Sequence, residues 1–286
     1  MEKAPGKGWN YAPNVPIKVS PIFTWPWKPF EIIKWVWNSW FLITEKLIIV
    51  GLAYCSFYWF QPPLSDMKAL SIDWVLVLYL RNMALMITVA GALHLYFYTF
   101  SKQGQALKYD KRPLMKNGKQ FTLGGQIRDN MFWTLGSGVT IWTAYEVLMF
   151  WAMANGYAPV LSWANNPIWF IALFLMIPLW ESFYFYWIHR MLHIPFLYKH
   201  VQALHRRNIN VGAWSGLSMH PVEHIIYLGT ILVHWVVAAH PVHILFHMQY
   251  YTLTGDHTHG ICGTVDEGSK SPETGDVPSS DASSLF

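Results

Sequence analysis

Charge is what this sequence has least of. Asp, Glu, Lys and Arg make up 13% of its 286 residues, about half the usual share of a soluble domain. A chain so poor in charge cannot cover a globular surface with polar groups, yet it can present apolar side chains to lipid at little cost. The formal net charge of +4 is small for a nucleic-acid partner, and none is expected. Cysteine is nearly absent. Cys55 and Cys262 are the only two, which excludes a disulfide framework and a thiolate zinc site. An apolar leader is also lacking: the first residues, MEKAPGKGWN, are polar with an early proline. No cleavable signal peptide is expected, and targeting falls to the first spanning helix. No internal repeat is visible, which weakens a transporter or channel reading.

What the chain has instead is apolar length. A bilayer core about 30 Å thick needs roughly 20 helical residues. Residues 47–65 and 82–101 carry no Asp, Glu, Lys or Arg. From 130 to 180 the only such residue is Glu146, and Asn155-Gly156, Pro159 and Asn165-Asn166-Pro167 divide the stretch. Turn chemistry there predicts two helices, 131–154 and 167–188. A last uncharged stretch, 224–255, contains Pro241 and predicts a hairpin that enters the membrane and returns. The fold class expected is therefore all-α: an integral membrane protein with about four transmembrane helices, a further membrane hairpin and a histidine-rich cap.

Lys and Arg alternate across the connections. Six lie in residues 1–46, one in 61–73, seven in 102–128, none in 154–167 and four in 189–224. Four crossings with a cytoplasmic N-terminus produce that alternation, and it places the histidine-rich segment on the cytoplasmic side. Three regions follow: a polar N-terminal segment, 1–30; a membrane domain, 31–263; and a polar tail, 264–286, whose composition reads as disordered.

Twelve of the 13 histidines fall between His189 and His259, and histidine is costly in a membrane unless it faces a partner or a cavity. His189 and His193 are four residues apart at the end of the fourth helix, so they share a face and can reach one metal. His220 and His224 repeat the interval in HPVEH, with Pro221 opening a helix and His220 capping it. His243 and His247 repeat it again. Imidazole suits iron, zinc, copper and nickel alike. For His234, His240, His243 and His247, packing is the expected role, and His94 reads as a core histidine. Arg81 and Glu146 are charges within apolar stretches, consistent with function, snorkelling or mutual pairing.

The segment ESFYFYWIHRMLHIPFLYKHVQALHRRNINVGAWSGLSMHPVEH resembles the membrane-bound fatty acid hydroxylase superfamily, in its sterol desaturase-like branch. The resemblance implies a cytoplasmic cap holding two iron ions among eight to ten histidines, in an endoplasmic reticulum membrane. It also implies an oxidoreductase: O2 and two external electrons, from cytochrome b5 or a ferredoxin with its reductase, hydroxylate or desaturate a lipid. Implied metal ligands are His189 and His193 in the first box, then His205, His220, His224 and His257. Glu181, eight residues before His189 and roughly on its face, is the candidate for orienting the site.

Two departures stand out. Where the second box of such proteins reads HxxHH, this chain has Gln202, His205 and Arg206, and the final HxxHH box is missing. A second hypothesis is therefore a catalytically inactive, truncated relative that binds lipid or regulates a partner.

Overall fold

The computed structural model describes residue 21 and residues 24–39, 43–102, 113–208 and 210–254. The expected ligand His257, the N-terminal residues 1–20 and the tail 264–286 lie outside them. Among the described residues there is no strand, only a single bridge between Val160 and Ala239.

Helix α1 (Pro29–Ser39) precedes α2 (Ile43–Phe60). Pro62 and Pro63 follow after Gln61, and a proline cannot continue the ladder it would have to donate to, so α2 ends five residues before the 47–65 stretch does. Helix α3 (Ile72–His94) begins where the Ser71 side chain accepts from the Asp73 amide, an N-cap. Wider turns at Leu95–Thr99 extend it to 28 residues. Helix α4 (Gln126–Phe132) runs through a further wide-turn segment, Trp133–Gly138, into α5 (Val139–Ala154). Helix α6 (Pro167–Leu192) has Pro167 in its first turn and 26 residues in all. Two helical stretches, Ile72–Thr99 and Pro167–Leu192, are long and apolar enough to cross a bilayer; Lys46–Phe60 is apolar but shorter.

Beyond α6 the chain folds back in short pieces: α7 (Pro195–Leu197), a wide turn at Tyr198–Gln202 and α8 (Ala203–Arg206). Helix α9 (Pro221–Leu228) continues through tighter turns at Gly229–Trp235. Helix α10 (Pro241–Leu253) then returns, opening at the expected proline with His240 as its cap.

This hairpin is the centre of the molecule. Nearly every residue of α10 is buried, and α10 packs against α2, α5 and α6. A helix that is apolar all round belongs inside a bundle. Its tip is tied to the α5–α6 connection, with the Leu161 amide donating to the Ala239 carbonyl at 3.0 Å. The hairpin thus runs from the His189 end of α6 to the opposite end.

The two charges flagged between α3 and α5 meet. Arg81 and Glu146 form an ion pair, both almost fully buried. Asn82 Nδ2 donates to Glu146 at 2.8 Å, the Trp142 indole donates to it at 2.8 Å, and Arg81 donates to Gln61 at 2.7 Å. A buried ion pair persists when its remaining valences are satisfied, as here. Of the three readings open for these charges, mutual pairing is the one observed.

Candidate functional site

The last turn of α6 sets the first half of the site. The 189/193 interval of one helical turn brings the two imidazoles onto one face, with ring centroids 4.8 Å apart. Their Nε2 atoms converge to 3.1 Å. Phe185 lies 5.2 Å from the His189 ring and Tyr198 lies 5.6 Å from the His193 ring, walling the pair with aromatic edges.

The second half comes from the fold-back after α6. It returns α8 to the end of α6 and sets the Arg206 guanidinium over the pair. Arg206 Nη2 is 2.9 Å from His189 Nε2 and 3.0 Å from His193 Nε2. Guanidinium only donates, so both ring nitrogens accept, and both imidazoles carry their proton on Nδ1. Burial lowers the His193 pKa, and the positive charge of Arg206 lowers it further. Both effects favour the neutral ring that such a contact requires.

An anchor holds this fold-back in place. Arg207, next to Arg206, pairs with the buried Asp129 of α4. It also donates to Thr122 Oγ1 at 3.2 Å and lies 5.5 Å over the Phe121 ring. Gln126 accepts from the Met115 amide at 3.0 Å and donates to the Asn210 carbonyl at 2.5 Å. The described end of the basic 102–128 connection is therefore part of the support for the site as well as a carrier of charge.

The remaining sequence-predicted residues go elsewhere. His205 lies within electrostatic reach of both His189 and His224. His220 caps α9, as its place before Pro221 predicts: its Nδ1 accepts from the Val222 amide at 3.2 Å. His224 Nε2 faces the Leu217 carbonyl at 2.9 Å and must donate, so its Nδ1 accepts from Ser137 Oγ at 3.0 Å. Neither ring nitrogen of His224 has a lone pair to spare. Gly138 leaves room for this ring, because a Cβ there would stand 3.2 Å from His224 Nε2. Beside it, burial raises the Glu223 pKa to about 7 against the opposing charge of Arg206.

Glu181 does not turn to His189. Its recorded partner is His247, with Oε1 3.6 Å from Nε2. That contact is the end of a buried chain that sequence reasoning missed. His247 Nε2 also meets Thr230 Oγ1 at 3.3 Å, His247 Nδ1 meets His234 Nε2 at 2.9 Å, and His234 Nδ1 meets the Val237 carbonyl at 3.4 Å. The carbonyl can only accept, which makes His234 Nδ1 a donor and His234 Nε2 an acceptor. His247 Nδ1 therefore donates, and its Nε2 lone pair faces Thr230 and Glu181. The Thr230 hydroxyl can donate to that nitrogen, while Glu181 Oε1 stands beyond hydrogen-bond distance and has no hydrogen-bond partner among the described residues. The signal available in sequence was Glu181 itself, a carboxyl within an apolar helix.

Among the described residues no three His, Cys, Asp or Glu side chains are arranged to hold a metal ion. Gln202, at a second-box position, is fully buried, and neither polar atom of its amide has a hydrogen-bond partner among the described residues.

Comparison with known proteins points the same way as the motifs. The fatty acid hydroxylase family profile matches residues 174–273. A provisionally named Delta(7)-sterol-C5(6)-desaturase 2 of Arabidopsis thaliana is 30% identical over 117 residues, 37% of this chain and 40% of that protein. A Delta(7)-sterol 5(6)-desaturase of Aspergillus fumigatus is 29% identical over 144 residues, 49% of this chain and 42% of that protein. Methylsterol monooxygenase 2-1 of Arabidopsis thaliana is 33% identical over 86 residues, 30% of this chain and 29% of that protein. The matches therefore span less than half the length of each of these relatives. No solved structure matches the chain.

Proposed function

We propose that the chain belongs, through residues 174–273, to the fatty acid hydroxylase superfamily in its sterol desaturase-like branch, and that the protein is a membrane oxidoreductase that hydroxylates or desaturates a lipid. The substrate class is a sterol or a fatty acyl chain. One observation carries the reading: the matched segment begins within α6 and runs through the converging His189–His193 pair and the central hairpin. Along α6, Ile168, Ile171, Leu175, Phe183 and Trp187 are exposed, forming an apolar flank that suits lipid. Phe185 and Tyr198, both exposed, would offer an apolar chain end a surface beside the imidazoles.

The proposal extends to topology and partners. Four crossings, a cytoplasmic N-terminus and histidine cap, and an endoplasmic reticulum membrane are supported by the alternation of Lys and Arg and by the family. The domain is taken as 31–263. Electrons from cytochrome b5 or a ferredoxin with its reductase are the donors the family implies.

Two iron ions and O2 are the finer part of the reading, and the described residues do not fit an iron pair. His189 and His193 offer two lone pairs, both taken by Arg206. His220 and His224 have theirs committed to Val222 and Ser137. An iron pair on this chain would need ligands from outside the described residues, His257 among them.

The second reading is a non-catalytic relative that binds lipid. Expression in a sterol-containing host, with a cytochrome b5 and its reductase supplied, separates the two. A lipid product that is oxygenated or desaturated only when O2 is present supports the enzyme. A lipid that co-purifies unchanged, with no product, supports the binding protein.

A further inference from the structure

We propose that Arg206 is the resident cation of the His189–His193 pair: its guanidinium stands where a metal ion would bridge the two imidazoles, so the wild-type chain binds no divalent metal there. The argument is geometric. Three nitrogens form a triangle of 2.9, 3.0 and 3.1 Å. Arg206 Nη2 has two N–H bonds, one for each Nε2, and the imidazoles have one in-plane lone pair each. The pair has no third valence to offer. A metal at about 2.0–2.1 Å from each nitrogen would need the same two lone pairs and would stand inside the guanidinium's contact distance. The two cations exclude one another.

Arginine suits this role where lysine would not. Its planar fork donates in fixed directions, and it does not deprotonate in the physiological range, so alkalinity does not vacate the pair. Its neighbour Arg207 is anchored by Asp129, which holds the segment, and hence the guanidinium, at high local concentration over the rings. The arrangement is also a clasp. It joins α6 to α8 across residues 193–206, the only described hydrogen bonds that tie the Arg206 side chain to α6 and its cap residue. A metal in its place would restore the same closure, provided a third ligand were supplied.

That consequence yields a gain-of-function test, independent of lipid turnover. The full chain is purified in detergent and titrated with cobalt(II), read by its visible ligand-field absorption and by thermal stability. Wild type should show neither a histidine-ligand spectrum nor a stabilising shift that depends on His193. Arg206→His, which offers three imidazoles, should bind cobalt at least tenfold tighter than wild type and gain stability with it, roughly the 1.4 kcal/mol or more to which a tenfold change corresponds. The double variant Arg206→His/His193→Ala should lose the gain. Cobalt bound by wild type and lost in His193→Ala overturns the proposal, as does a folded Arg206→His that binds no tighter than wild type. If Arg206→His does not fold, wild type against His193→Ala still decides: uptake insensitive to His193 supports the proposal.

Discussion

Two groups of histidines share one hairpin-centred fold and have opposite characters. At the end of α6, His189 and His193 lie at the molecule's edge with both Nε2 lone pairs aimed at a common point. In the bundle, His234, His243 and His247 are buried at 1%, 0% and 0% exposure. There, both nitrogens of each ring already have partners. His243 Nε2 donates to the Phe170 carbonyl at 2.9 Å and its Nδ1 accepts from the His240 amide at 3.1 Å. What separates a ligand from a scaffold histidine is the direction of its lone pairs. Number and spacing do not tell them apart: His243 and His247 have the same interval as His189 and His193.

The contrast can be broken by mutation. His247→Leu should have the largest effect on stability. It removes the partner of His234 Nε2 and of Glu181 in a fully buried setting, and about 3 kcal/mol is expected for such a loss. Thermal or denaturant unfolding in detergent checks it; a cost below about 1 kcal/mol would mean the chain of contacts is not an energetic unit. Gly138→Ala comes next. The added Cβ would meet His224 Nε2 at 3.2 Å, on a ring pinned at both nitrogens, and overpacking of this kind costs about 1–3 kcal/mol.

Thr230→Val sharpens the comparison further. It removes one hydroxyl from His247 while keeping the shape, at a cost of about 1–2 kcal/mol. Glu181→Gln should be milder, because it keeps a polar side chain of the same shape opposite His247, whereas Glu181→Leu should cost more than the glutamine variant. Equal costs would mean that the Glu181–His247 contact contributes nothing polar. Smallest of all is His193→Ala, expected within about 0.5 kcal/mol as a surface change. If it rivals His247→Leu in the same unfolding assay, the clasp at Arg206 is a structural keystone.

Much of the fold was legible in the chain. Pro167, Pro221 and Pro241 each open a helix where a proline's fixed φ and missing N–H are tolerated. Asn155-Gly156 ends α5 at Ala154 as the turn residues predict. The wide turns in Trp133–Gly138 were not foreseen. They end at Gly138, which lies close to His224, a contact between distant segments. At the site, the interval His189–His193 foretold a shared face, and Arg206 stood out as a cation in a ligand's position. The pairing of Glu181 was misplaced: eight residues put it on the face of His189 but two turns away along the axis, and His247 from α10 stands opposite it instead.

By itself the sequence determined the helical class, the apolar length of α6, the helix starts at Pro167, Pro221 and Pro241 and the clustering of histidines. All of these follow from local backbone chemistry and composition. Helix α3, by contrast, begins at Ile72, ten residues before the charge-free stretch that announced it. Only the tertiary structure decided which histidines keep a lone pair to share. A ring nitrogen's availability depends on the atom facing it, and those atoms, Leu217 and Ser137 for His224, Val237 for His234 and Arg206 for His189 and His193, come mostly from other segments of the chain.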